Sequence, residues 1–498
     1  MILNRSKANP SESEKGISPV HSGCLPAWES DDLPEPLPFS ARNALRTIGP
    51  GAILLVGAIG MGEWIAGPLI VAQYGRSILW IATVAFVLQS FLNLEAVRYT
   101  LYTGEPIMTG FMRLRPGPGA WGTFYGFCAI GQLGAPAAAA ACAGVLFAMM
   151  TGAMPDAHAD KANLRWITIA LVVITGLILV SGRKVERVLE RMSWAMIIYI
   201  FGFLLVVNIA FVPAAAWGHT LGGFVQFGAL PPDIDILLLA VFAALAGSGG
   251  VGNLAIASWF RDKGFGMGGK VGSIGGALLG DDVKLEPVGK TFPINDKNMG
   301  RWRTWWKYAV IDQSGLWMGG CLIGMFLMVN LSAVLFPEGG TEVSGVAAGV
   351  FQAGEMQKLW SGFWILALLN GFWILLSTHI ANTDVLTRTV TDIAWAANKN
   401  VRKKSVGRLY GILLLGFTVI GCFATFIGDA KTLLMILGAT AGPVTAIAAI
   451  QILRVNTTLL PKAIRPPMWR RVMLGLCALF YGAISVALIV RLIQNLGR

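Results

Sequence analysis

Eleven runs of predominantly apolar residues, parted by short polar segments, constrain this chain before anything else does. They fall roughly at 48–73, 77–102, 119–152, 164–182, 192–212, 234–260, 305–336, 359–386, 406–428, 431–453 and 471–494. A helix needs about 20 apolar residues to cross a bilayer. These runs are too long and too evenly apolar to be one face of a soluble helix. Composition agrees, since 55% of the 498 residues are hydrophobic and only 13% are charged. A soluble domain carries about 25% charged residues. A soluble enzyme, a disordered chain and a disulfide scaffold are excluded. An all-α polytopic membrane protein remains, with the lipid bilayer as its surroundings.

The net charge of +12 belongs to that class and does not point to nucleic acid, because basic residues crowd cytoplasmic loops. With the N-terminus inside, the inner segments hold Arg42 and Arg46, then Arg113 and Arg115, then Arg183, Lys184, Arg187 and Arg191. Further inner groups lie in 261–303, between Lys399 and Arg408, and between Arg454 and Arg471. Outer segments hold little beyond Arg76, Lys161, Arg165, Lys358 and Lys431. The expectation is a multi-pass protein of a bacterial inner or plasma membrane, with its C-terminus outside. Residues 1–40 read as a disordered cytoplasmic tail, with no apolar core of a signal peptide. The six cysteines form no C-x-x-C pair, so neither a zinc site nor a disulfide framework is expected. No cofactor is implied, and the sequence is silent on oligomeric state.

Two spans carry glycine clusters at mid-depth. Span one holds Gly57, Gly60, Met61, Gly62 and Glu63; span six holds Gly247, Ser248, Gly249, Gly250, Gly252 and Asn253. Unwound backbone at that depth is tolerated only where it lines a cavity, and matched breaks in two halves point to a transporter's binding site. Four spans separate span one from span six, and four follow. The reading is a 5+5 inverted repeat with spans one and six broken. Residues 42–215 form the first repeat, and 230–455 the second, including an inner loop at 261–303. Residues 465–498 add the eleventh helix. Packing of small residues is the alternative reason for such glycines, but these are denser than a four-residue repeat.

At these residues the chain resembles the Nramp (natural resistance-associated macrophage protein) family, over roughly 42–453. The resemblance rests on Gly49-Pro50-Gly51, the two break positions and the layout. It implies a leucine-transporter-like fold and proton-coupled uptake of divalent metal by alternating access. The family's Asp-Pro-Gly-Asn is Gly60, Met61, Gly62 and Glu63 here. Its Met-Pro-His-Asn aligns with Gly250, Val251, Gly252 and Asn253, and its glutamine in the tenth helix is missing from the stretch after Ile436. The fold therefore carries over better than the substrate. Glu63 is the remaining carboxylate and the candidate metal ligand. A hydrated hard cation suits one carboxylate, while an amino acid or other small organic solute suits a glycine-lined break.

The candidate binding residues are thus Gly60, Met61, Gly62, Glu63, Gly249, Gly250, Asn253 and Gln132, the last an amide in mid-span three. Ionisable groups inside spans are candidates for a proton path: Glu63, His379, Asp384, Glu95 and Arg98. Structural pairing is the plainer reading for Glu95 with Arg98, and for Asp384 with Arg388, by their spacing on a helix. A satisfied structural role is the plainer reading for His379. Gly264–Val271 reads GFGMGGKV and approaches a P-loop, but Val271 replaces the hydroxyl and no strand precedes it. A gating loop, flexible or locally folded, is expected instead.

Overall fold

The computed structural model describes residues 23–496 except 133, 157, 182–183, 279–282, 336–347 and 359. Residues 1–22 of the expected tail lie outside this set. Among the described residues, ten helices are long and apolar enough to cross a membrane, as expected for an all-α polytopic membrane protein. They are Pro50–Tyr74, Arg76–Thr103, Lys161–Val180, Val185–Phe211, Ile236–Lys263, Asp296–Leu335, Gly362–Ala397, Val406–Ala424, Ala430–Thr458 and Met468–Gln494. They correspond to spans one, two and four to eleven.

Span three is two shorter helices, Pro118–Ile130 and Ala137–Thr151. The reason is local: Gly131, Gly134 and Pro136 fall within six residues, and proline lacks the N–H that would continue the ladder. Gln132 falls in this gap.

Span six is interrupted as expected. Its first half ends at Leu245 and its second half begins at Gly250. Gly247, Gly249 and Gly250 have φ of 102°, 55° and 49°, a region that a Cβ disfavours.

Span one corrects the expectation of a second unwound segment. It is continuous, and Ile59–Ala66 winds as a π-helix. A foreign hydroxyl is built into its ladder. Thr378 of span eight donates to the Val56 carbonyl at 2.6 Å and accepts from the Gly60 N–H at 3.0 Å. A side chain inserted into the ladder is a known cause of a local irregularity, and π-bulges gather at functional sites. Span seven has its own π-helix at Ile311–Met318. From it, Asp312 accepts from the Gly49 and Gly51 N–H groups at 2.7 Å each. It thus caps the start of span one, where the first N–H groups have no partner in their own helix.

The segments rich in basic residues gather at one end of the bundle. Lys263 bonds the Ile48 carbonyl and Glu190, Trp395 donates to the Leu285 carbonyl, and Arg98 donates to the Ile464 carbonyl. Residues 23–40, expected as part of the disordered tail, are laid across this end. Glu29–Ser30 pairs in parallel with Lys290–Thr291, and Cys24 donates to the Arg113 carbonyl. The GFGMGGKV stretch is a packed turn, with a four-residue helix at Gly268–Val271 and the Met267 N–H bonded to the Leu101 carbonyl at 3.0 Å. Nothing here makes a phosphate cradle.

Candidate functional site

The break in span six is held open by a side chain from span two. Gln89 is fully buried. Its Oε1 accepts from the Ser248 N–H at 3.0 Å, the Gly249 N–H at 3.3 Å and the Asn253 amide at 2.9 Å. Its Nε2 donates to the Ala246 carbonyl at 2.7 Å and the Tyr481 hydroxyl at 2.6 Å. Tyr481, on the eleventh helix, donates on to the Ala243 carbonyl at 3.1 Å. Thr445 of span ten accepts from the Gly250 N–H at 2.8 Å. Broken backbone in the apolar interior must find such partners, and here three other helices supply them.

Beside the break is a cavity with about 20 Å³ open to water, lined by side chains that include Met61, Gln132, Ser248 and Asn382 and by the backbone of Gly57 and Gly249. That is room for roughly one water molecule. The donors on offer are neutral: a thioether, two amides, a hydroxyl and peptide groups. Among the described residues no three His, Cys, Asp or Glu side chains gather to hold a metal. The Gln132 amide nitrogen has no hydrogen-bond partner, so it is the unspent donor at this wall.

The structure thus brings Met61, Gln132 and Gly249 together, as the sequence suggested, and sets other expected site residues around them. Gly60 bonds Thr378 and does not line the cavity. Gly62 allows close approach, since a Cβ there would stand 2.0 Å from the Leu245 carbonyl oxygen. Gly250 is spent on Thr445 and the Asn253 amide nitrogen on Gln89, while the Asn253 Oδ1 has no hydrogen-bond partner.

Glu63 is buried but is not part of the cavity lining. Two residues are about half a turn in either α- or π-winding, so Met61 and Glu63 face different ways. Neither Glu63 oxygen has a hydrogen-bond partner, and the Cys321 thiol of span seven is its polar neighbour. A bare carboxylate with no partner in a membrane interior is costly. The group is at rest only when it holds a proton or stands beside a cation.

His379 is buried with both ring nitrogens unpaired. It lines a second cavity of about 30 Å³ with Thr383 and Thr418. Gln132 and Ala135 border both cavities, so the break in span three is the wall between them.

The remaining ionisable candidates are fully engaged. Glu95 bonds Arg98 at 2.6 Å and Arg470 at 3.2 Å. Asp384 accepts from Arg388 and Trp259 at 2.8 Å each and from Tyr410 at 2.6 Å. It belongs to a buried network between the second half of span six and span eight. In it Arg388 also meets Asp262, and Arg261 bonds Asp262 at 2.7 Å and Asp392 at 2.5 Å. This network closes the basic end below the cavity.

Gln89, Thr378 and Thr445 were not singled out from the sequence. The available signal for Gln89 was an amide in mid-span two, one of two there with Asn93.

No protein-family model matches the chain and no curated protein matches it. Solved structures do. Two mutants of a manganese transporter of Eremococcus coleocola superpose with a TM-score of 0.64 each, at 13% and 14% identity. The matches cover 92% and 93% of this chain and 89% of each of those. The same transporter in complex with an aromatic bis-isothiourea compound gives a TM-score of 0.62 at 12% identity, over 92% of this chain and 89% of that one. At this identity the likeness is one of architecture, and it spans nearly the whole of both chains: this integral membrane protein has the fold of that manganese transporter.

Proposed function

We propose that the chain is a distant Nramp-like secondary transporter, with an 11-helix, 5+5 inverted layout and its basic end in the cytoplasm. It moves a cation by alternating access. The observation that carries this reading is the cavity at the span-six break, enclosed by spans one, three, six, eight and ten and sized for one small particle. Its thioether favours a borderline divalent ion over magnesium or calcium, which prefer oxygen alone. An amino acid or other organic solute is several times larger than the water-sized space available, so that reading has less support.

Met61, Gln132, Ser248 and Asn382 are assigned to the cargo. Glu63 is assigned to the coupling proton, because it is ionisable, buried and unpartnered and faces away from the cargo. The deciding experiment is flux into proteoliposomes loaded with metal- and pH-sensitive dyes, offering manganese, calcium and magnesium with and without an inward proton gradient. Saturable manganese entry that Met61→Leu weakens selectively, with magnesium unaffected, is expected. Folded protein that carries no cation, but is stabilised by amino acids, would move the assignment to an organic solute.

A further inference from the structure

A further cavity lies away from the cargo site, at the basic end, where span four hands over to span five. It measures about 590 Å³ and is lined by Lys184, Arg187, Arg191, Lys284 and Ser273. Arg187 and Arg191 stand on one face of span five at helical spacing, and Lys184 is the extended residue just before its first turn. Lys284 and Ser273 come from the loop opposite, which is tied in place by a bridge between Lys184 and Gly275. Among the described residues no carboxylate lies within ion-pair distance of any of the four cations. Asp281 and Asp282, next in sequence, lie outside the described residues. The neighbouring acids on span five are turned elsewhere: Glu190 bonds Lys263, and Glu186 is buried. Four like charges around one concavity repel each other unless an anion sits among them.

The position of the cavity identifies the anion's source. Arg187 and Arg191 extend the stripe of span five that carries Ile198, Leu205 and Ile209, which are 71%, 47% and 69% exposed. That stripe faces the acyl chains, so its basic end lies at headgroup depth. Leu278, 67% exposed, projects from the same loop, and its N–H bonds the last turn of span four at the Val180 carbonyl. We propose that this groove is a binding site for the phosphate headgroup of an anionic phospholipid. The arginines and lysines take the phosphate oxygens, Ser273 donates a further hydrogen bond, and the acyl chains lie along the exposed stripe. Basic pockets between membrane helices on this side suit such headgroups, and arginine suits a phosphate's paired oxygens.

The test uses the full-length protein purified in neutral detergent. Phosphatidylglycerol, phosphatidylcholine and inorganic phosphate are titrated separately, with bound lipid counted by native mass spectrometry and the thermal midpoint followed. Phosphatidylglycerol should bind saturably and raise the midpoint, while phosphatidylcholine and inorganic phosphate do neither. Arg187→Gln with Arg191→Gln should weaken phosphatidylglycerol binding by roughly thirtyfold, from about a fivefold loss for each cation near an anionic surface. Both side chains are exposed, so the double variant should keep its midpoint in detergent alone. Lys184→Gln with Lys284→Gln, from the two walls, gives a second and independent loss. Equal phosphatidylglycerol binding by wild type and both double variants overturns the proposal. So does stabilisation by inorganic phosphate as strong as by the lipid, which would make the ligand a soluble anion.

Discussion

Thr378 of span eight completes a hydrogen bond that Gly60 of span one would otherwise make within its own helix. The hydroxyl stands between the Gly60 N–H and the Val56 carbonyl, at 3.0 and 2.6 Å. Those two groups are four residues apart, the spacing of an ordinary helical bond. The wide winding of Ile59–Ala66, which orients Met61 and Glu63, therefore depends on a neighbour.

Thr378→Val preserves shape and deletes both bonds. Leaving the donor and the acceptor bare would cost about 1–3 kcal/mol each, so the direct Val56–Gly60 bond should form and draw the segment toward a regular α-helix. The expected result is a folded protein with at least tenfold lower flux, read by thermal unfolding and liposome transport side by side. Wild-type flux would mean that the winding does not matter to transport.

Gln89→Leu should be more damaging to stability than to any single step. It leaves the Ser248 and Gly249 N–H groups, the Asn253 amide and the Ala246 carbonyl without their partner. A loss of roughly 3 kcal/mol or more is expected, measured by denaturant unfolding in detergent. Gln89→Glu keeps the acceptor and loses the donor, so it should fall between wild type and Gln89→Leu.

Glu63→Gln keeps the volume and removes the ionisable group. Metal entry should lose its dependence on the inward proton gradient, and the proton influx that accompanies metal should vanish, with the thermal midpoint held. Gradient-driven entry equal to wild type would take the coupling role from Glu63.

Glu105 gives a pH signature outside the spans. Burial pushes its pKa up, but Arg113 at 2.8 and 2.5 Å, Tyr99 at 2.5 Å and the Gly289 N–H at 2.8 Å outweigh this. The net shift is below the ordinary value of 4.5. A depressed carboxyl contributes its stability above the unfolded pKa and loses it as pH falls through the folded one. Stability should thus hold from pH 7 to about 4.5 and decline below. Glu105→Gln should start lower by about 3–5 kcal/mol, since it strips a buried cation of its partner, and should flatten that acid limb.

The helices were legible because membrane spans declare themselves one at a time, by length and apolarity. The span-six break was legible for the same reason, since several glycines in seven residues are poor helix in any setting. Span one misled because its glycines meet a neighbour's hydroxyl: Gly60 is stitched by a threonine 318 residues away. The cavity wall was readable at Met61, Gln132 and Gly249. It was not readable at Gln89 or Thr378, whose roles follow from what faces them across a helix interface. Glu63 drew attention by its charge, and its direction around the helix needed coordinates.

The network at the basic end has a seam. On the span-six side, Arg261 and Asp262 bond each other; on the span-eight side, Arg388 and Asp384 do the same. If the two helices part, each takes away a complete pair, and only Asp392 is left without its cation. Opening dissolves two salt bridges, Arg261 to Asp392 and Arg388 to Asp262, and two hydrogen bonds, Trp259 to Asp384 and Ser258 to Asp392, and water arriving in the gap replaces them. A seam of this kind leaves Arg261, Asp262, Arg388 and Asp384 each with an opposite charge on its own helix after the two separate. The one carboxylate that such a parting bares is Asp392, and in the proposed transport reading it would face the path of the cation.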